Sequence, residues 1–209
     1  GTNDGCSSAT PPFDIYESTM DLSVTASVVK NDNCNSAAGQ IVAIATGGTT
    51  FSREDPLAVP PQVSVPIPYK YQILPDTGII GNASDDVPPT ASDVNWNVSN
   101  TFFKDNGNYI VYAKDANGCI KPFPISLALD PSPIISLAVT DKCAVEGAFE
   151  IVVNEVTAGI APYTISVKKD GVAGAFQNIS GLPYTLSNLN SGTYEITVKD
   201  VNGCIDTET

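Results

Sequence analysis

Apolar and polar residues alternate along this chain in short runs. In "TYEITVKD", Tyr194, Ile196 and Val198 fall on one face, and Glu195, Thr197 and Lys199 on the other. Period two is the mark of a half-buried strand. "PYTISVKK" sets Tyr163, Ile165 and Val167 inward in the same way, and "FEIVVNEV" does so with Phe149, Ile151 and Val153. Gly, Pro, Asn, Asp, Ser and Thr separate the runs, and no stretch sustains a helical period. The pattern predicts an all-β protein.

One run occurs twice. "GNYIVYAKDANGC" covers residues 107–119, and "GTYEITVKDVNGC" covers residues 192–204. Each ends in an Asn-Gly pair, Asn117-Gly118 and Asn202-Gly203, which predicts a type I′ hairpin turn after the strand. Other features recur in the same order. Cys34 precedes "GQIVAIATGG" and Cys143 precedes "GAFEIVVNEV"; Pro68-Tyr69 and Pro162-Tyr163 follow. The order predicts two repeats. The stretch "DPSP", Asp130 to Pro133, reads as the linker, since proline does not sit in a central strand and stiffens a connection. The expected units are therefore 11–130 and 131–209, the second lacking most of its last strand. Residues 1–10, with "NDGC" at Asn3 to Cys6, read as the tail of a preceding copy, so that the chain is expected to be the interior of something longer. The first unit is longer by two insertions, around "TTFSREDPLAVPPQVSV" and "GIIGNASDDVPPTASDVNWNVSN". Insertions in a repeat map to exposed loops.

Composition narrows the function. Ten Lys plus Arg against 23 Asp plus Glu give a net charge of −13. That field repels nucleic acid and anionic lipid. No apolar run approaches the ~20 residues of a membrane helix, so direct membrane insertion is not expected. There is no histidine, so the commonest general base and metal ligand are missing and no Ser-His-Asp or Cys-His site can be built. An enzyme is not expected. Five cysteines without a C-x-x-C pair suit disulfides in an extracellular setting better than zinc.

"PYTISV" followed by "LSNLNSGTYEITVKDVNGC" resembles the repeat of the SprB-type gliding-motility adhesins of Bacteroidetes. The likeness covers most of the second half. It weakens in the first, where "GNY" replaces "GTY" and an insertion separates "GG" from "PY". The resemblance implies two tandem Ig-like β-sandwich modules from a very large cell-surface adhesin, secreted by the type IX system, which mediates surface attachment and gliding. It supplies no catalytic residues.

Each repeat offers one cysteine before its second strand and one after Asn-Gly. The first choice pairs Cys34 with Cys119 and Cys143 with Cys204, leaving Cys6 unpaired. A second register pairs Cys6 with Cys34 and Cys119 with Cys143. In an Ig sandwich the first loop and last hairpin lie at opposite ends, which weighs against the first choice.

Oxygen ligands at D-x-N-x-x-x-D spacing, Asp200, Asn202 and Asp206, are candidates for Ca2+, with Asp115 and Asn117 their counterparts. Position 121, which would complete the first set, is lysine. Solvated turn carboxylates are the plainer account. Asp85-Asp86 could suggest a glycosidase pair, but nothing marks either as buried. Trp96, alternating with Val94 and Val98, reads as a core or half-core residue, with sugar stacking or an interface anchor the rival reading. The insertions, with Arg53, Glu54, Asp85, Asp86, Asp93 and Trp96, are the candidate contact loops. The expected partners are an external surface or polysaccharide and neighbouring repeats of the same chain. The rival expectation is a passive extracellular stalk presenting another domain.

Overall fold

The computed structural model describes residues 20–52, 65–76, 78, 87–140, 143 and 145–209. Among them there are strands and turns and no helix. The first half runs β1 (Ser23–Lys30), β2 (Gly39–Thr46), β3 (Phe51–Ser52), β4 (Val65–Pro66), β5 (Lys70–Pro75), β6 (Thr101–Lys104), β7 (Gly107–Lys114) and β8 (Ile120–Leu127). The second runs β9 (Ile134–Thr140), β10 (Phe149–Thr157), β11 (Thr164–Lys169), β12 (Val172–Ala173), β13 (Gln177–Asn178), β14 (Tyr184–Leu189), β15 (Tyr194–Lys199) and β16 (Ile205–Glu208).

The two halves share one sheet order. The sheets β1-β2-β6 and β5-β7-β8 of the first half correspond to β9-β10-β14 and β11-β15-β16 of the second. The second half adds β12 and β13 along β11, and the first adds the β3-β4 pair. Every pairing within these sheets is antiparallel. Among the described residues no strand of one half pairs with a strand of the other.

Alternation places the core between each pair of sheets. Val24, Ile41, Ala43 and Ala45 meet Tyr71, Val111, Ala113 and Leu127 in the first half. Ile135, Ile151 and Val153 meet Ile165, Ile196 and Val198 in the second. The two clusters share no residue. Ile196 and Val198 are fully buried, as the period-two reading of "TYEITVKD" requires. The Tyr71 hydroxyl crosses between sheets to accept the backbone N–H of Ala45 at 3.2 Å.

Matched tyrosines hold matched turns. The Tyr109 hydroxyl donates to the Asp105 carbonyl at 2.7 Å, and that of Tyr194 to the Asn190 carbonyl at 2.8 Å. Both bonds reach back four residues, over the turn that leads into β7 or β15. The Tyr69 hydroxyl donates to Gly47 at 2.6 Å, and that of Tyr163 to Ala158 at 2.9 Å. Gly47-Gly48 and Ala158-Gly159 all have positive φ, so the Pro-Tyr motif clamps a left-handed bend just after β2 or β10. Glycine suits such a bend because it has no Cβ to clash.

Candidate functional site

Each half has two poles, and the hydrogen bonds define them. In the first half, the β1–β2 connection and the turn after β6 share one pole. Asp32, buried, accepts the backbone N–H groups of Ala38 at 3.3 Å and Asn106 at 2.8 Å there. The β7–β8 hairpin, with Cys119, lies at the other pole, beside Gly48 and Thr49. In the second half, Glu146 of the β9–β10 connection accepts the N–H of Ser191 at 3.0 Å, which sets Cys143's connection at one pole. The β15–β16 hairpin, with Cys204, lies at the other, beside Ile160.

The repeated D-x-N-G-C segment builds this hairpin around its aspartate. Asp115 Oδ1 accepts the N–H of Cys119 at 2.8 Å, while Oδ2 accepts that of Thr49 at 2.9 Å. Asp200 does the same with Cys204 at 2.9 Å and Ile160 at 3.2 Å. Both aspartates are buried. Their backbone carbonyls accept the N–H of Gly118 and Gly203, each at 3.1 Å. The expected type I′ turn is not what forms. Only the glycines take positive φ, +86° and +87°, and the asparagines do not. The hairpin is a three-residue loop, a type I turn closed by a left-handed glycine. The cause is the aspartate, whose side chain caps the N–H at the far side of the loop and so favours a wider turn.

The two poles facing each other are joined covalently. Cys34 bonds to Cys204 across 170 positions, with Cα atoms 5.6 Å apart. Asn35 Nδ2 donates to the Asn202 carbonyl at 3.3 Å beside it. Asp130 accepts from Asn31 Nδ2 at 2.8 Å and so belongs to the first half's pole. Pro133 is fully buried and lies against Gly159, where a Cβ would come within 2.9 Å of it. The Nδ2 atoms of Asn33 and Asn202 are buried without a hydrogen-bond partner. Each such group costs about 1–3 kcal/mol, so the disulfide, more than the polar contacts, fastens this junction.

This pairing corrects both expected registers. Cys34 and Cys119 sit at opposite poles, separated by the eight residues of β7. That is roughly 26 Å at about 3.3 Å per residue, against the roughly 7 Å a disulfide allows. Cys143 and Cys204 are separated in the same way by β15. Cys119 and Cys143 are free and exposed, and Cys34, already bonded, is not available to Cys6, which lies outside the described residues.

The carboxylates of the calcium candidates accept backbone N–H groups. Both Asp200 oxygens accept backbone N–H groups, and Asp206 Oδ2 accepts the N–H of Ile135 at 2.8 Å, tying β16 to β9. The counterpart Asp115 is engaged in the same way, and Asn117 Nδ2 donates to the Thr49 hydroxyl at 2.9 Å. Among the described residues no three acidic or thiol side chains converge as a metal site.

Of the contact-loop candidates, Arg53, Glu54, Asp85 and Asp86 lie outside the described residues. Trp96 is buried, its Nε1 donating to the Thr90 carbonyl at 2.8 Å, with the Lys114 ammonium 4.8 Å from its ring centre. Its burial agrees with the core or half-core reading, but the flanking valines do not share it: Val94 is 93% and Val98 59% exposed, and no strand forms there. Asn97 forms a single bridge with Tyr71 of β5, so Trp96 is buried from a loop and not from a strand. Asp93 accepts the N–H of Asn95 at 3.0 Å in a turn of that loop. Burial, and Lys70 nearby, lower the Lys114 pKa, with Asp93 acting the other way.

No protein-family model matches the chain, and no curated protein shows significant similarity to it. Among the described residues no helix is long and apolar enough to cross a membrane.

Proposed function

We propose that the chain is a pair of tandem Ig-like modules from a secreted, cell-surface adhesin of the SprB type, and that its work is to bear load along a fibre. The observation that carries this reading is the Cys34–Cys204 bond, which fastens one half to the other pole to pole. Identical sheet orders, separate cores and the paired tyrosine bonds support equivalent Ig-like units. A tyrosine near the start of strand F, bonded back to the backbone a few residues upstream, recurs in such sandwiches, and Tyr109 and Tyr194 hold that place on β7 and β15, the fifth main strand of each half. A rod of units, each with its own core, passes tension through the junctions. An extracellular location suits the disulfide. The first half's insertions are the surfaces for gripping a substratum or polysaccharide, which would serve attachment and gliding.

Pulling single molecules by their termini tests the load-bearing role. With the disulfide intact, the 170 positions it spans are shielded from extension. Reduction should release an additional length of about 560–610 Å at 3.3–3.6 Å per residue. Equal extension before and after reduction would rule the role out. Binding of the whole chain to polysaccharides or bare surfaces separates a gripping adhesin from a passive stalk, which would bear load and bind neither.

A further inference from the structure

The Cys34–Cys204 bond uses one pole of each half, and the unused poles carry the same two chemical groups. Cys119 sits on its hairpin as Cys204 does, held by Asp115 where Cys204 is held by Asp200. Cys143 lies between β9 and β10 as Cys34 lies between β1 and β2. Cys204 is 1% exposed beneath the neighbouring loop, whereas Cys119 and Cys143 are both exposed and free. The bonded Cys34 is exposed as well, so what sets the outer pair apart is that neither has a partner. A concavity of about 340 Å³, lined by Ile67, Lys70, Lys114 and Asn117 among others, adjoins the Cys119 hairpin.

We propose that Cys119 and Cys143 are the two complementary ends of a disulfide ladder: Cys143 of one copy of this chain bonds Cys119 of the next. The proposal rests on reading the halves as equivalent units. The contact is heterologous, since one connection meets one hairpin, and a heterologous contact that does not close on itself grows into a filament. Geometry favours growth over closure within one chain, because the two thiols occupy outward poles of different halves. The concavity beside Cys119 would receive the incoming connection.

The chemistry is an exchange with a small-molecule disulfide such as oxidised glutathione. One protein thiolate attacks it, forming a mixed disulfide and releasing one glutathione thiolate. The second protein thiolate then displaces the other glutathione. One protein S–S bond forms and one glutathione S–S bond breaks. The two protein thiols are oxidised, and their protons end on two reduced glutathiones.

The test uses the full chain with Cys6→Ser, oxidised by glutathione disulfide and run without reductant. A ladder of covalent multimers containing a Cys119–Cys143 peptide is expected, and reductant should collapse it. Adding Cys119→Ser or Cys143→Ser should abolish the ladder. Mixing those two variants should restore a dimer that grows no further. Three results would overturn the proposal: single variants that dimerise alone as readily as the mixture, an intrachain Cys119–Cys143 bond, or a monomer with both thiols free. Mapping Cys34–Cys204 in the same digests separates the two readings. Its presence without a ladder sinks only the polymer, whereas its absence removes the junction on which both depend.

Discussion

The Asp200 carboxylate accepts the backbone N–H of Cys204 at 2.9 Å, so the residue that shapes the hairpin also positions the sulfur that joins the two halves. Asp200 is buried and its second oxygen takes the N–H of Ile160. Replacing it strands two donors at once, a buried one at Cys204 and a part-buried one at Ile160. Hydrogen bonds to charged groups contribute about 1.5–3 kcal/mol each, so Asp200→Ala should cost on the order of 3 kcal/mol. Urea denaturation of the variant measures this. Thiol trapping of Cys204 in the same variant should show slower closure of the bond to Cys34. Asp115→Ala should destabilise to a similar degree and leave that bond untouched, because Cys119 takes no part in it.

Alkaline pH should weaken the fold through its tyrosines. Burial raises the pKa of Tyr69, Tyr109 and Tyr112, aided by Tyr71 and Asp115, by Asp105 and Asp32, and by Asp76 respectively. A raised folded pKa means that the unfolded chain releases its proton first. Their contribution is therefore complete below the unfolded value of about 10 and is lost as pH rises through the higher folded values. Melting temperature should hold steady through neutral pH and fall above about pH 10. Tyr109→Phe should lower stability at neutral pH by about 1 kcal/mol, for the lost bond to Asp105, and should shrink the alkaline decline.

The parts of this structure written locally were legible in the sequence, and the parts set by pole geometry were not. Tyr194, Ile196 and Val198 declare their face by alternation alone, and Ile196 and Val198 are fully buried. At Trp96 the same rule is right about the indole, which is buried, and wrong about its neighbours. Its flanking valines alternate correctly, yet the segment is anchored by the indole and by one bridge at Asn97, and the valines face outward. Alternation marks a strand only where a neighbouring backbone pairs along the segment, and here a single bridge does. Asn-Gly alone predicts a type I′ turn, but the aspartate two positions before it caps the far side of the loop and widens it. That aspartate, four positions before each cysteine, was the available signal for a capped three-residue loop. The disulfide could not be read from spacing at all. It depends on which loops share a pole, and that follows from the number of strands crossed between them.

Calcium should leave the chain unchanged at its D-x-N-x-x-x-D segment. Asp200 and Asp206 already direct their oxygens at the backbone N–H groups of Ile160, Cys204 and Ile135. A cation drawing on them would compete with charge-assisted bonds to three different elements. Calorimetric melting with EDTA and then with excess Ca2+ should superimpose. A rise in melting temperature that Asp206→Asn abolishes would show that the cation displaces those donors.

The two cores should respond independently once the bond between the halves is opened. Ile41 belongs to one cluster and Ile196 to the other, and both are fully buried. Removing such a side chain to alanine costs about 2–5 kcal/mol through lost burial and the cavity left behind. In the reduced chain, Ile41→Ala should lower one melting transition and Ile196→Ala a different one, since neither residue packs on the other half. With Cys34–Cys204 closed, the unfolded half stays tethered to a folded one, which restricts its unfolded ensemble. Closing a long loop is worth roughly 2–4 kcal/mol in that way. Both transitions should therefore rise on oxidation, and scanning calorimetry with and without reductant measures the shift. A single transition lowered equally by either substitution under reducing conditions would mean that the halves fold as one body, and the modular rod would have to be abandoned.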